Sequence, residues 1–320
     1  MNSGINLKSQ TGKKVKTKKS RRIKVSALQD YSLAAVPLLY ILLFSYIPMV
    51  GLVIAFKDYR YDKGMFGSEW VGFDNFKFFF TSNDFLRVTR NTILLNALFI
   101  VIGIMCAVAL AIALFSVISR TKTKVFQTIL ITPHFLSWVV VGYMVYAFLN
   151  PVHGMVNSIL KLMGSGGVDW YSTPNAWPAI LTITSVWKHI GMDCVLYYAA
   201  LMGMDTSLLE AAEVDGATEW QVRRYIIIPT LAQIITITAI LKVGNIFRAD
   251  FGLFYQVTRD VGTLYATTDV MDTYIFRTMK ELGDMGMSAA AGFLQSVVGL
   301  VTVIITNHVT KKINPDNALF

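Results

Sequence analysis

Asp193 and Lys242 are ionisable side chains set deep in stretches that are otherwise largely apolar. Asp193 lies about ten residues before the end of its stretch and Lys242 about eleven after the start of its own. At about 1.5 Å per helical residue, both fall roughly 15–16 Å down, nearly level and close to a bilayer midplane. Charges at that depth pair with one another or line a water-filled cavity. One reading is therefore an Asp193–Lys242 ion pair that fixes two helices. The other is a polar pathway wall to which Lys188, His189 and Asn245 also contribute, with Trp187, Tyr197 and Tyr198 as aromatic platforms. Charged, amide and aromatic groups together suit a hydroxyl-rich ligand. His189 and Asp193, four residues apart on one helical face, offer a competing local pairing. Catalysis has no comparable support. No G-x-x-x-x-G-K-[ST] run exists to cradle a phosphate. His134, His153, His189 and His308 have no metal-ligand spacing with one another or with Cys106 and Cys194. The expectation is no catalytic residue, no metal and no cofactor held by this chain.

A second constellation occupies 207–231, SLLEAAEVDGATEWQVRRYIIIPTL. Leu208, Leu209, Ala211 and Ala212 form a short apolar face, rimmed by Glu210, Glu213 and Asp215. Gly216 can adopt the left-handed conformation that ends one helix and turns the chain into the next. Residues 217–226 then read as a second short helix carrying Trp220, and Pro229 resets the chain before the next apolar stretch. Such a helix–turn–helix at a membrane surface presents a small apolar knob with an acidic rim, a shape suited to docking.

The elements that must position these residues follow from composition. The 320 residues are 54% hydrophobic and only 15% charged, against about 25% charged in an ordinary soluble domain. Segments 31–56, 91–119, 125–160 and 285–310 contain no Asp, Glu, Lys or Arg. A spanning helix needs roughly 20 predominantly apolar residues. These facts exclude a soluble enzyme, a disulfide scaffold and a disordered chain. They predict an all-α polytopic membrane protein with six transmembrane helices near 33–56, 93–118, 125–149, 178–203, 231–250 and 288–306. Pro178 and Pro229 suit helix starts, whereas Pro48 and Pro133 predict kinks inside spans one and three.

The net charge of +9 is carried entirely by the first 29 residues, which hold nine Lys or Arg and no acid. A basic tail before a first span reads as a cytoplasmic anchor attracted to anionic lipid. Without an aromatic before Tyr31, it does not read as a nucleic-acid surface. With the amino terminus inside, the inner side holds 16 Lys and Arg against 10 outside. Both termini are therefore expected in the cytoplasm. The domain plan is a basic tail (1–30), a first span with its outer loop (31–84), a core (85–307) and a second cytoplasmic tail (308–320).

Glu210-Ala211-Ala212, Gly216 after three further residues, and Ile226-x-Ile228-Pro229 nine residues later resemble the EAA loop of ABC-type importer permeases. The one departure is Ile228 where the pattern has Leu. The resemblance spans roughly 85–307, and the extra first span is similar to the sugar branch. Leu264-Tyr265-x-Thr267-x-Asp269-Val270-x-Asp272-Thr273-Tyr274 and Ser288-Ala289-Ala290-Ala291-Gly292 resemble the oligosaccharide and polysaccharide permeases called LplB-like. The resemblance implies a type I ABC importer permease fold in a bacterial cell membrane and a carbohydrate cargo. It also implies a coupling role for Glu210, Ala211, Ala212, Gly216, Trp220 and Pro229. The implied partners are a second permease, usually a different chain, two ATPase subunits that bind the ATP and Mg, and an extracellular solute-binding protein. The alternative is an ion-coupled secondary transporter using Asp193 and Lys188, which would have no need of the 207–231 pattern.

Overall fold

The computed structural model describes residues 20–82 and 84–313. Most of the expected basic anchor (1–19) and the end of the second tail (314–320) lie outside the described residues. The chain divides into two compact units, ending and beginning at Val53 and Ile54.

In the first unit, helix α1 (Ser20–Ile41) runs into a wide π turn at Leu42–Tyr46 and a further short helix, Ile47–Met49. From Tyr31 to Met49 no described side chain is buried, and the run is apolar all round. That is the pattern of a helix whose solvent is lipid. The kink expected at Pro48 takes the form of the π turn. Proline has no N–H and its ring crowds the carbonyl four residues back. Here the Ile47 N–H reaches back five residues to Leu42 and absorbs the misfit.

The second unit opens with a hairpin pairing β1 (Lys57–Asp58) with β2 (Glu69–Trp70), followed by helix α2 (Asp74–Thr81). Four long passages form the body. Helix α3 (Phe85–Phe115) packs along α7 (Trp177–Met202), and α9 (Ile228–Gly244) packs on α10 (Met285–Ile313). Buried positions on α3 lie at helical spacing in two runs, Val88–Thr92–Leu95 and Gly103–Ala107–Ala111–Leu114, so one stripe faces protein. Leu94, Val101 and Met105 lie more than half exposed on the other faces, where lipid would cover them.

Two buried clusters mark the ends of the bundle. Leu95, Trp177, Leu181, Phe254 and Val257 belong to one. Ala107, Leu114, Tyr197, Leu201 and Ile227 belong to the other, at the end carrying 207–231. We call these the far end and the loop end.

The expected third span, 125–149, differs from the sequence expectation. Helix α4 (Arg120–Ile131), extended by a tight 3₁₀ turn at Thr132–Phe135, meets helix α5 (Trp138–Leu149) at 97°, and a short helix α6 (Met155–Leu162) follows. Leu130 packs on the loop-end cluster, while Val141 and Leu149 belong to the far-end one. The pair therefore still reaches from one end to the other, as a broken passage and not a kinked helix. Non-helical backbone at membrane depth survives only where protein satisfies it, and here Lys188 does so, as described below.

Gly191 allows the crossing of α7 over α4. A Cβ at this position would stand 2.0 Å from the Leu130 carbonyl oxygen. Gly191→Val therefore forces two backbones apart, and overpacking of this kind costs about 1–3 kcal/mol or more. We expect markedly earlier thermal unfolding in detergent. Gly292→Val, where a Cβ meets nothing within 4 Å, should unfold close to the parent; equal behaviour of the two variants would refute the contact.

Candidate functional site

Span five begins earlier than the sequence suggests. Residues 217–226 are not a separate helix: one helical run extends from Glu219 to Gly244. Its first turn, Glu219–Val222, is opened by a capping box at Thr218. The Thr218 N–H donates to Gln221 Oε1 at 2.7 Å, and the Gln221 N–H donates to Thr218 Oγ1. A π turn follows at Arg223–Ile227, where the Ile228 N–H reaches back to Arg223, and α9 continues with Pro229 near its start. Pro48 and Pro229 thus use the same device, a π turn ending two residues before the proline.

Ahead of this run, helix α8 (Ser207–Val214) ends as the residues dictate. Gly216 has φ +72°, the Gly216 N–H donates to Glu213, and the Ala217 N–H donates to Ala212 at 2.9 Å. This pair of bonds is the Schellman arrangement, which satisfies carbonyls at a helix end. Glu210 and Ala211 are exposed, Ala212 is half-buried, and Leu208, Val214 and Trp220 project at the loop end with 51%, 87% and 66% of their surfaces free. These apolar side chains stand exposed beside Glu210, Glu213 and Asp215, which are exposed as well. Behind the turn lies a cleft of about 270 Å³ between Gly216, Gln221, Tyr225 and Ile226.

The same helical run carries Lys242 into the body of the bundle. Lys242 Nζ lies 2.8 Å from Asp193 Oδ2, with both side chains partly accessible. They stand on the wall of a cavity of about 490 Å³. Helix α3 contributes Asn96, Phe99 and Ile100 to that wall, and α7 contributes Ser185, His189 and Asp193. The turn after α9 adds Asn245, Arg248 and Asp250. The two sequence readings therefore meet: Asp193 and Lys242 are paired, and the pair faces an open space. His189 does not pair with Asp193; its Nδ1 lies 2.9 Å from the Ser185 carbonyl and donates there.

Trp187, Lys188 and Tyr197 do not line this cavity. Tyr197 is buried and its hydroxyl bonds Thr238 Oγ1 at 2.7 Å, tying α7 to α9. Lys188 points toward the broken passage. Its ammonium, on a side chain 5% exposed, donates to the carbonyls of Pro133, His134 and Leu136 and sits 5.0 Å from the Trp138 ring centre. Lysine carries three N–H donors and a charge that suits carbonyls at a helix C-terminus, so Lys188 replaces the backbone bonds lost at the 97° break. The signal lay in the spacing: Lys188 and Gly191, three apart, share one face of α7, whereas His189 and Asp193 share another.

A buried ionic network at the far end was not visible in the sequence. The Asp269 carboxylate, fully buried, accepts from Arg87 at 3.0 Å and from Arg277, which also binds Asp260 at 2.9 Å. Asn91 Nδ2 donates to the Asp269 carbonyl, and the Met271 N–H donates to Thr92 Oγ1. Asp272 accepts from the Ala249 N–H at 2.7 Å and from Gln295; burial pushes its carboxyl above the ordinary carboxylate range. The 264–274 signature therefore acts by pinning the loop before α10 to α3 and to the wall of the cavity.

Comparison with known proteins agrees with this architecture. Protein LplB of Bacillus subtilis (strain 168) is 32% identical over 286 residues, covering 89% of each chain. The polygalacturonan/rhamnogalacturonan transport system permease protein YteP of the same organism is 30% identical over 93% of each. A chain of the bacterial alginate ABC transporter, crystallised in complex with an alginate pentasaccharide-bound periplasmic protein, superposes with a TM-score of 0.81 at 33% identity. That match covers 92% of this chain and 97% of that one. Residues 99–315 match the family described as binding-protein-dependent transport system inner membrane component. The chain belongs to that family: it is a multi-pass permease component of a transport system, with the fold of an ABC importer permease and not an enzyme.

Proposed function

We propose that this chain forms one side of a carbohydrate pathway through the membrane and links it to ATP hydrolysis carried out by partner subunits. The observation that carries the reading is continuity. The exposed first turn that Thr218 caps and the cavity residue Lys242 belong to one helical run, Glu219–Gly244, about 39 Å long at 1.5 Å per residue. A displacement of α8 and its turn is therefore delivered to the cavity wall by a single stiff element, without relay through side chains. Glu210, Ala211, Ala212, Gly216 and Trp220 form the docking surface, and Pro229, with the π turn, sits where that surface joins the span. His189, Asp193, Lys242 and Asn245 offer hydrogen-bonding groups to a hydroxyl-rich cargo. YteP and the alginate transporter support the carbohydrate class.

The wall contributed by α3, α7 and α9 is open on one side, and a polar cargo must be shielded from lipid throughout. The remaining wall comes from a second permease, most simply a different chain, and the pair sits on two ATPase subunits that bind the ATP and Mg. The loop end then faces the cytoplasm, the side on which the charge balance also puts both termini. The far-end loops 57–84, 150–173 and 245–284 receive an external solute-binding protein. Gly216→Val tests the coupling role. A β-branched residue at φ +72° is strained by about 1–3 kcal/mol, and it displaces α8 from its seat. In proteoliposomes holding the whole importer, we expect normal membrane insertion but loss of cargo-stimulated ATP hydrolysis. Full stimulation in the variant would contradict the role given to this turn.

A further inference from the structure

We propose that Arg248 is a receptor for an anionic group on the cargo, so that the pathway takes a negatively charged polyhydroxylated substrate; this rests on the cavity being the pathway. The four charges on the cavity wall are not equivalent. Asp193 is neutralised by Lys242 at 2.8 Å. Both oxygens of Asp250 are engaged: Oδ2 accepts from Trp138 Nε1 at 2.9 Å, and Oδ1 accepts from the Gly252 and Leu253 N–H groups. Arg248 is different. Its guanidinium is exposed and donates to a neutral hydroxyl, Ser296 Oγ, at 3.0 Å. No carboxylate among the described residues lies within ion-pair distance of it. The neighbouring Asp272 is buried and held by Ala249 and Gln295.

Arg248 is also held in place. Its carbonyl accepts from Asn96 Nδ2 at 3.1 Å, its N–H donates to the Asn245 carbonyl, and the next N–H is bound by Asp272. With the backbone fixed on both sides and one guanidinium N–H on Ser296, the rest of the five-donor fork stays open toward the two cavities that Arg248 borders. Such a fork matches the paired oxygens of a carboxylate or a phosphate. Arg248 lies four residues beyond the end of α9, beside Asn96 and on the far-end side of the Asp193–Lys242 pair. A charge there meets cargo before the neutralised Asp193–Lys242 pair does.

The test uses the complete importer in proteoliposomes and three probes: an oligogalacturonide, its methyl ester and a sugar phosphate. The ester keeps the shape of the acid and removes its charge. We expect the parent to take up the acid or the phosphate in preference to the ester, and which of the two it prefers identifies the source of the anion. In Arg248→Gln the ratio of anion to ester uptake should fall roughly ten- to a hundredfold, the scale of a lost charged hydrogen bond; Arg248→Lys should restore part of it. An unchanged ratio in Arg248→Gln overturns the proposal, as does a proportionate loss of both uptakes, which would mark Arg248 as structural. A parent that carries the ester but neither anion overturns the proposal and leaves the carbohydrate pathway standing. A parent that carries none of the three overturns both.

Discussion

Asp269→Ala should be the most damaging single substitution in the far-end loops. The carboxylate is fully buried between Arg87 and Arg277, and removing it leaves two guanidinium groups facing each other, each with only its outer partner, Asp84 or Asp260, as counter-charge. Breaking a buried pair in this way costs about 3–5 kcal/mol, a large share of the stability of most folds. We expect the variant to fail to accumulate in the membrane, or to unfold far below the parent in a detergent melt. Asp62→Ala, which removes an exposed partner of Arg60, should stay within about 0.5 kcal/mol of the parent. Parent-like melting of Asp269→Ala would show that the network does not hold the loop before α10.

The second large effect belongs to Asp193 and Lys242. Each alanine variant strands one charge on the wall between α7 and α9, where the pair stands in place of solvation. Both single variants should melt early, and the double variant should recover most of the loss, because the unpaired charge is gone. Uptake separates packing from cargo contact. If the pair only fastens the two helices, the double variant transports as it refolds. If the side chains also touch cargo, as the cavity wall implies, the double variant regains stability but not transport. Parent-like stability and uptake in both single variants would dismiss the pair altogether.

The parts legible in the sequence were those settled by length, charge and local spacing. The long uncharged runs placed α3 and α10, Gly216 and its flanking residues fixed the turn, and depth arithmetic set Asp193 level with Lys242. What stayed hidden depended on distant partners. Pro133 signalled a bend, but its size follows from Lys188 capping the break and from Gly191 letting α7 lie against Leu130. Neither partner falls within a window around Pro133. Lys188 looked like a pathway residue because it is an ionisable group on the same span as Asp193; the face it occupies sends it elsewhere. Residues 217–226 read as a separate short helix because Pro229 looked like a break before span five, although a π turn carries the helix through Arg223 and Arg224 into the span. The Arg87–Asp269 contact joins residues 182 positions apart, and no local pattern announces it.

The account rests on α8 and its turn being the surface that meets the ATP-hydrolysing subunit, and crosslinking tests that contact directly. Cysteines at Ala211 and Val214, both exposed on α8, should capture that subunit when a short bifunctional reagent is applied to the assembled importer in membranes. A cysteine at Gly166, exposed in the far-end loop, should capture only an external binding protein or nothing. Capture of the ATPase from Gly166, with none from Ala211 or Val214, would reverse the orientation and contradict the account.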